Sequence, residues 1–284
     1  TDDPVNGEWE IANPPAFGDP KNLGIFEMIG FGDHLYAGTA NLNGYQIWRT
    51  RAEGKPPYKW ERIITDGAYR GSLNQGVASF CVHNGALYAG GGIQHGGVDM
   101  VTGTGPAGPE LIRIHEDGSW DLIVGSARNT LDGMKVPKSA YRPGFGSIFN
   151  GYFWRMGSHD GWLYLGTLDW STMLPYSEME NWPDVMRRGL DRYGLEEFMN
   201  LQSGAELFRS ADGENWMPVD RRGFGNKYNY GIRTLQSTPH GFAVGFVNPF
   251  GPRIGLGTGD DFAYHDNPDG GFEIWLGSNS KPDS

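Results

Sequence analysis

The sequence predicts an all-β fold made of four repeated antiparallel sheets, and three observations carry that prediction. Composition is the first. The 284 residues include 45 Gly, 15 Phe, 13 Tyr and 10 Trp, and only 20% are charged, a usage that favours short strands joined by turns over helices. The second is a repeat. "AFGDPKNLGIFE" (16–27), "AYRGSLNQGVAS" (68–79), "GFGSIFNGYFWR" (144–155) and "GFGNKYNYGIRT" (223–234) each set an aromatic five positions ahead of an asparagine, giving Phe17/Asn22, Tyr69/Asn74, Phe145/Asn150 and Phe224/Asn229. The third is that every copy is followed by the same series of short apolar segments, patterned as half-buried strands.

Taken in order, the first strand of each unit starts at the repeated asparagine. The second is "HLYAGTAN" (34–41), "ALYAGGGI" (86–93), "WLYLGTLD" (162–169) or "GFAVGFVN" (241–248). The third is "YQIWRT" (45–50), "PELIRI" (109–114), "AELFRS" (205–210) or "FEIWLG" (272–277). The fourth opens on a Trp with Ile or Val three residues on, at Trp60, Trp120 and Trp216; its remaining copy, "WEIA" from Trp9, stands at the other end of the chain. An outer strand supplied by the opposite terminus is how a ring of radial sheets closes, so the expected fold is one four-bladed β-propeller domain over residues 1–284. The blades are expected at about 22–64, 74–125, 150–220 and 229–277, the last completed by 8–13.

"SADGENW" (210–216), between the third and fourth strands of blade three, resembles the Asp-box of sialidase-like propellers, one residue short of the usual spacing; "HEDGSW" (115–120) is a weaker copy. The resemblance implies a structural turn within a propeller and says nothing about substrate.

Antiparallel strands alternate direction, so the loops between strands two and three share a face with the crossings between blades. The opposite face has only short turns, "GFGDH", "VHNGA", "SHDGW" and "STPHG". Length is spent on the first face, at 94–108, at 249–271 and above all at 170–204. Within the last, 181–194 predicts a helix, with Asn181 near its cap, Pro183 in its first turn and Gly194 as its stop. Function is expected on this looped face, at the mouth of the central channel.

Residues present in every blade read as folding residues. Asn22, Asn74, Asn150 and Asn229 are expected to tie down the incoming loop, with an amide collar around a ligand as the alternative. Gln46, Glu110, Glu206 and Glu273 share a register and read as blade anchors; Arg49, Arg113 and Arg209 read as blade-to-blade contacts.

Exceptions are more informative. Five residues after the asparagine stand Glu27, Ser79, Arg155 and Thr234, preceded by Phe26, Ala78, Trp154 and Arg233. Glu27 and Arg155 belong to opposite blades, so they are expected to face each other across the channel, either as a plugging ion pair or as an acid/base and an anion-holding cation. At the end of strand two stand Asn41, Ile93, Asp169 and Asn248; Asp169 is the sole carboxylate and leads into Trp170, a pair that suits a sugar-like ligand or an ordinary turn. His95 and His265 lie in long loops, whereas His83 and His159 fall in short turns and are expected on the surface, with His34 and His240 near the same turns. The expected catalytic set is Glu27, Arg155, Asp169 and His95. The expected substrate contacts are Asn22, Asn74, Asn150, Asn229, Trp154, Trp170, Arg233, Asn41, Asn248 and His265.

A formal net charge of -11 argues against nucleic acid and anionic membranes as partners, and no apolar stretch has the length of a membrane span. The single Cys81 excludes an intramolecular disulfide and a CxxC site. There is no phosphate-binding loop, dinucleotide fingerprint or GxSxG elbow, and no His or Cys pairing at ligand spacing. No cofactor is expected, beyond a weak case for a structural calcium at Asp260, Asp261, Asp266 and Asp269, which lack EF-hand spacing. A monomer is expected, secreted or periplasmic, with room for a leader removed ahead of Thr1. The expected function is a cofactor-independent lyase, isomerase or hydrolase acting on a small molecule or glycan. The alternative is a lectin-like binding propeller, or a scaffold that docks a protein through 170–204.

Overall fold

The computed structural model describes residues 1, 3–99, 102–176, 184–256 and 262–277. The chain is mainly β and divides into two compact units, Thr1–Gly146 and Ser147–Ser284.

In the first unit, β1 (Asn22–Phe31), β2 (His34–Asn41), β3 (Ile47–Thr50) and β4 (Glu61–Ile64) form one antiparallel meander. A second is built from β5 (Gly76–His83), β6 (Ala86–Gly92), β7 (Leu111–Ile114) and β8 (Trp120–Val124). These are the first two sequence repeats, each four strands deep. They meet where β2 pairs with β5 at Ala40 and Gly76. Gly38 allows that approach, since a Cβ there would stand 2.5 Å from Val77 Cβ. Tyr36, Tyr45, Ile47, Leu87, Ile112 and Ile114 fill the core between them, each buried aliphatic side chain contributing roughly 1.5–3 kcal/mol. A small hairpin, β9 (Arg128–Thr130) with β10 (Gly133–Lys135), follows; no repeat pattern announces it.

In the second unit, β11 (Asn150–His159), β12 (Trp162–Asp169), β13 (Leu207–Ser210) and β14 (Met217–Asp220) form the third meander. The fourth repeat contains β15 (Gly231–Thr238) and β16 (Gly241–Val247), then a hairpin of β17 (Arg253–Leu256) and β18 (Ala263–Asp266), and returns as β19 (Ile274–Gly277) against β16. β12 meets β15 at Leu168 and Gly231, the same junction as in the first unit. Ile232, Leu235, Phe242, Val244 and Phe246 form the core here. The turns joining first and second strands are short because their residues suit them: Asn84–Gly85 and Asp160–Gly161 both take positive φ at both positions (47° and 70°, 46° and 76°), the type I′ geometry of a two-residue hairpin.

Among the described residues, the segment 170–204 holds a 3-10 helix, Ser171–Tyr176, and two α-helices, Asp184–Tyr193 and Leu195–Gln202, where the sequence predicts one helix over 181–194. Gly194, at φ 78°, ends the first α-helix and caps the second. Asn181 and Pro183 lie outside the described residues. The turn at 210–216 is closed by its own side chains. Asp212 Oδ1 accepts the N–H groups of Glu214 and Asn215 at 2.8 and 2.7 Å, and Trp216 Nε1 donates to the Gly213 carbonyl at 3.0 Å.

Two expectations are corrected. Residues 8–13 form no strand: Trp9 is 75% exposed, and the Ala12 carbonyl accepts hydrogen bonds from Tyr58 N and Trp60 Nε1, 3.0 and 3.1 Å away in the first repeat. Pro14 and Pro15 follow at once and have no N–H to extend a ladder. His83 is buried, with its ring against Tyr88, because it is the last residue of a strand rather than a turn residue. Of the repeated arginines, Arg49 reaches the next repeat, donating to the Glu116 carbonyl at 2.8 Å, Arg113 pairs with Asp121 and Arg209 lies over Trp162.

Candidate functional site

The repeated asparagines are posts of the fold. Asn22 Nδ2 donates to the Ala16 carbonyl and Gln46 Oε1, Asn74 Nδ2 to the Gly67 carbonyl and Glu110 Oε2, and Asn229 Nδ2 to the Gly223 carbonyl and Glu273 Oε2, all at 2.9–3.0 Å. Asn150 Nδ2 donates to Glu206 Oε2 at 2.5 Å. In each case the amide pins the aromatic-Gly loop, the third strand or both, and every one of the four is buried. Their amide hydrogens serve the protein and not a ligand.

Each first strand then carries the same irregularity. The register slips by one residue between Ile25 and Glu27, Val77 and Ser79, Phe153 and Arg155, and Ile232 and Thr234. The bulged residues are Phe26, Ala78, Trp154 and Arg233, and the residue after each bulge faces a glycine: Glu27 on Gly38, Ser79 on Gly90, Arg155 on Gly166, Thr234 on Gly245. A bulge takes one side chain out of the alternation and re-aims it. The backbone device is constant and the chemistry placed on it changes from repeat to repeat.

In the second unit that chemistry is aromatic and cationic. Trp154 is half-buried, its ring lying over Gly231, where a Cβ would collide with the indole. Tyr152 and Tyr230 flank it at 6.0 and 6.2 Å between ring centroids, and the Arg233 guanidinium sits 5.4 Å from the ring centre. Arg233 is exposed and Arg155 half-buried. Tyr230 continues the surface to Phe250 at 5.9 Å, and Phe250 to Tyr228 at 5.5 Å. Burial raises the phenol pKa of Tyr152 and Tyr230, so both are donors at neutral pH. Sequence reasoning selects Trp154, Arg155 and Arg233 but misses Tyr152 and Tyr230; their signal is their place next to the repeated asparagines, two residues after Asn150 and one after Asn229.

Glu27 is half-buried in the first unit, and Arg155 belongs to the second. Trp170 packs on Phe149 at 4.9 Å and donates to the Ile148 carbonyl at 3.0 Å, so its indole holds the entrance to the insert. Asn41 and Asn248 are buried and donate to Asn22 Oδ1 and Asn229 Oδ1. Asp169 is 2% exposed; its Oδ1 accepts from both Ser171 N and Ser171 Oγ. Burial pushes its carboxyl up to about 8, with the Glu206 charge adding to the effect and the Ser171 donors opposing it. Glu206 is itself raised by burial, against hydrogen bonds from Asn150 and Arg221. His95 is exposed on a single turn in the first unit, and His265 is exposed on β18 opposite Ile254. Asp260 and Asp261 lie outside the described residues, Asp266 pairs with Arg253 at 3.5 Å, and among the described residues no three His, Cys, Asp or Glu side chains gather as metal ligands.

The first unit also carries a cleft of about 520 Å³ lined by His34, Arg49, Thr50, Arg51, Glu53, Lys59 and Glu61. Arg49 is committed there to Glu61 at 2.8 Å, and burial together with Arg49 and Arg51 lowers the pKa of His34.

No family model matches the chain, and no curated protein sequence matches it. Among solved structures it is similar to an alpha-L-arabinofuranosidase from Clostridium thermocellum, with a TM-score of 0.35 and 11% identity over 88% of this chain and 71% of that one. It is similar to an exo-1,5-alpha-L-arabinanase from a bovine ruminal metagenomic library, with a TM-score of 0.35 and 10% identity over 88% and 77%. It is also similar to a beta-fructofuranosidase of Bombyx mori, with a TM-score of 0.36 and 12% identity over 90% and 49%. At these TM-scores the likeness decides neither the number of sheets nor the chemistry.

Proposed function

We propose that this chain binds a carbohydrate-like substrate, preferably one bearing a carboxylate, at the bulges of the second unit and processes it without a cofactor. The observation that carries the reading is the half-buried indole of Trp154 between Tyr152 and Tyr230, with the Arg233 guanidinium 5.4 Å from its ring. An indole face takes the C–H face of a sugar ring, phenol hydroxyls bond its hydroxyls, and a guanidinium holds a carboxylate through paired N–H groups. Trp154 packs on Gly231, so stacking needs little ordering.

Within this proposal Glu27 is the general acid or base and Arg155 holds negative charge. Both follow a bulge and face a glycine. Asp169 is moved out of the catalytic set, because it is buried and bonded to Ser171. Glycoside hydrolysis usually takes two accessible carboxylates. Two arginines at the bulges of the second unit fit better a lyase or isomerase that removes a proton beside a carboxylate, where arginine neutralises the charge that develops. The four-bladed ring is part of the same proposal.

The test is tryptophan fluorescence and turnover against uronic-acid oligosaccharides, with neutral oligosaccharides as controls. Trp154→Ala and Arg233→Ala should each weaken binding at least tenfold, about 1.4 kcal/mol, while Glu27→Gln retains binding and loses turnover. Binding that survives Trp154→Ala unchanged refutes the site. Binding lost in Trp154→Ala, with no turnover by the unaltered protein on any bound sugar, favours the lectin-like reading.

A further inference from the structure

In three repeats the Oδ1 of the inner asparagine accepts from a side chain, an asparagine amide in two of them and an arginine guanidinium in the other. Asn41 Nδ2 donates to Asn22 Oδ1 at 3.0 Å, Arg70 Nη1 to Asn74 Oδ1 at 3.2 Å, and Asn248 Nδ2 to Asn229 Oδ1 at 3.3 Å. In the third repeat the residue opposite Asn150 is Asp169, in the register that sets Asn22 opposite Asn41. A carboxylate there would have no hydrogen to give. It would also bring a second buried charge close to Glu206, which already accepts from Asn150 Nδ2.

We propose that Asp169 is carried as the neutral acid, its Oδ2–H donating to Asn150 Oδ1 where the sister repeats use an amide or a guanidinium, and that this proton latches the insert 170–204 to the inner strand. The insert begins on this carboxyl, and its far end is joined to it through one serine hydroxyl. Ser171, its second residue, gives both its N–H and its hydroxyl to Asp169 Oδ1, and Ser203, at its far end, lies with Oγ 2.9 Å from Ser171 Oγ. The Asp169 N–H donates to the Tyr230 carbonyl at 2.7 Å, so the latch also bears on the aromatic surface. The raised pKa agrees with this arrangement. The charged group facing Asp169 is Glu206 on the segment leading into β13, itself held by Arg221 at 2.6 Å, with Asp220 beyond it on β14. Loss of the proton sets an anion beside Glu206 and an acceptor against an acceptor, so the bond that ties Asp169, and with it the serine held on its Oδ1, to Asn150 is lost.

Asp169→Asn places at this position the amide donor that Asn41 and Asn248 supply in their own repeats, which makes it the conservative variant. Two measurements test the latch. Infrared difference spectra between the unaltered protein and Asp169→Asn at pH 6.5 should contain the carbonyl band of one protonated carboxylic acid, shifted in D2O. Limited proteolysis of the insert should accelerate about tenfold in the unaltered protein, relative to Asp169→Asn, between pH 7 and pH 9, as the ionised fraction passes from about one tenth to nine tenths. Absence of the protonated-acid band overturns the proposal. So does a cleavage rate that rises with pH equally in both proteins. Neither outcome depends on which sugar, if any, the aromatic surface binds.

Discussion

Glu110→Gln is the substitution that most directly probes how this fold is held. Glu110 has no exposed side-chain surface, and around it stand Arg128 at 2.8 Å, Arg70 at 3.5 Å, Ser126 N–H at 2.8 Å and Asn74 Nδ2 at 3.0 Å. The two arginine side chains are only 10% and 13% exposed. Burial lowers the pKa of Arg70 and the Glu110 charge holds it up, so the carboxylate is the group that makes two buried cations tolerable. Removing one charge from a buried pair costs about 3–5 kcal/mol, since the partner remains buried and uncompensated. At about 2–4 °C per kcal/mol for a domain of this size, the melting temperature should fall by roughly 6–20 °C. Glu273 occupies the same register in the fourth repeat, but its partners Asn226, Asn229 and Trp275 are neutral donors. Glu273→Gln should therefore cost only about 1–2 kcal/mol. Calorimetry and urea unfolding of the two variants, with the Glu110→Ala/Arg128→Ala pair as a cycle, measure the difference. The reasoning fails if Glu110→Gln unfolds within about 1 kcal/mol of the unaltered protein, or if the two Gln variants are equally affected.

Other predictions follow from the same geometry. Asp169 has a folded pKa above its unfolded value, so the stability it permits is complete below about pH 4 and declines as pH rises to about 8; Asp169→Asn should be the more stable protein at pH 8–9, by a few kcal/mol in thermal or urea unfolding. Asp121 behaves in the opposite sense. Burial raises its pKa, but hydrogen bonds from Arg113 and His115 outweigh that and bring it down to about 2, so its contribution is present above pH 4 and lost as pH falls toward 2; Asp121→Asn should flatten the acid limb of the stability curve by about 1 kcal/mol after solvent screening. Gly231→Ala would push the Trp154 indole off its seat, so its emission should shift to the red and any sugar binding should weaken, whereas Gly30→Ala, with no neighbour within 4 Å of its Cβ, should leave the spectrum unchanged.

Much of the architecture is visible in the residues themselves. The aromatic-to-asparagine spacing marks the start of β1 and β11 to the residue; at β1 the Asn22 amide closes the loop ahead of the strand on the Ala16 carbonyl, and at β11 the Asn150 amide holds Glu206. Asn-Gly and Asp-Gly announce their hairpins for a local steric reason. What cannot be read depends on tertiary partners. Residues 8–13 have the pattern of an outer strand, yet a pattern does not say where a carbonyl will bond, and Ala12 bonds in the first repeat. The bulge is equally invisible. It leaves no composition signal, but it explains why the residues singled out by their irregularity, Phe26, Trp154 and Arg233, stand together at one backbone position. Asp169 stands out in the sequence as an exception, but its role there stays open, since only burial separates a poised carboxylate from a buried acid.

The four positions in register with Glu110 show how a repeat protein separates folding from function. Gln46, Glu110, Glu206 and Glu273 each do one mechanical task, holding a third strand to the inner asparagine, in four electrostatic settings: a neutral amide, a carboxylate between two buried arginines, a carboxylate raised by burial beside Arg221, and a carboxylate lowered by neutral donors. Variation there is compensated locally, by Arg70 and Arg128 or by Arg221, so each repeat stays closed. At the bulge the opposite holds. Phenylalanine, alanine, tryptophan and arginine follow one another on an unchanged backbone, and in the second unit the variation accumulates into a surface, tryptophan beside arginine between two tyrosines. A position that varies with its neighbours adjusting around it is a solution to packing. One that varies on a constant frame, and gathers an aromatic face and a cation where side chains remain accessible, has the properties a ligand site requires.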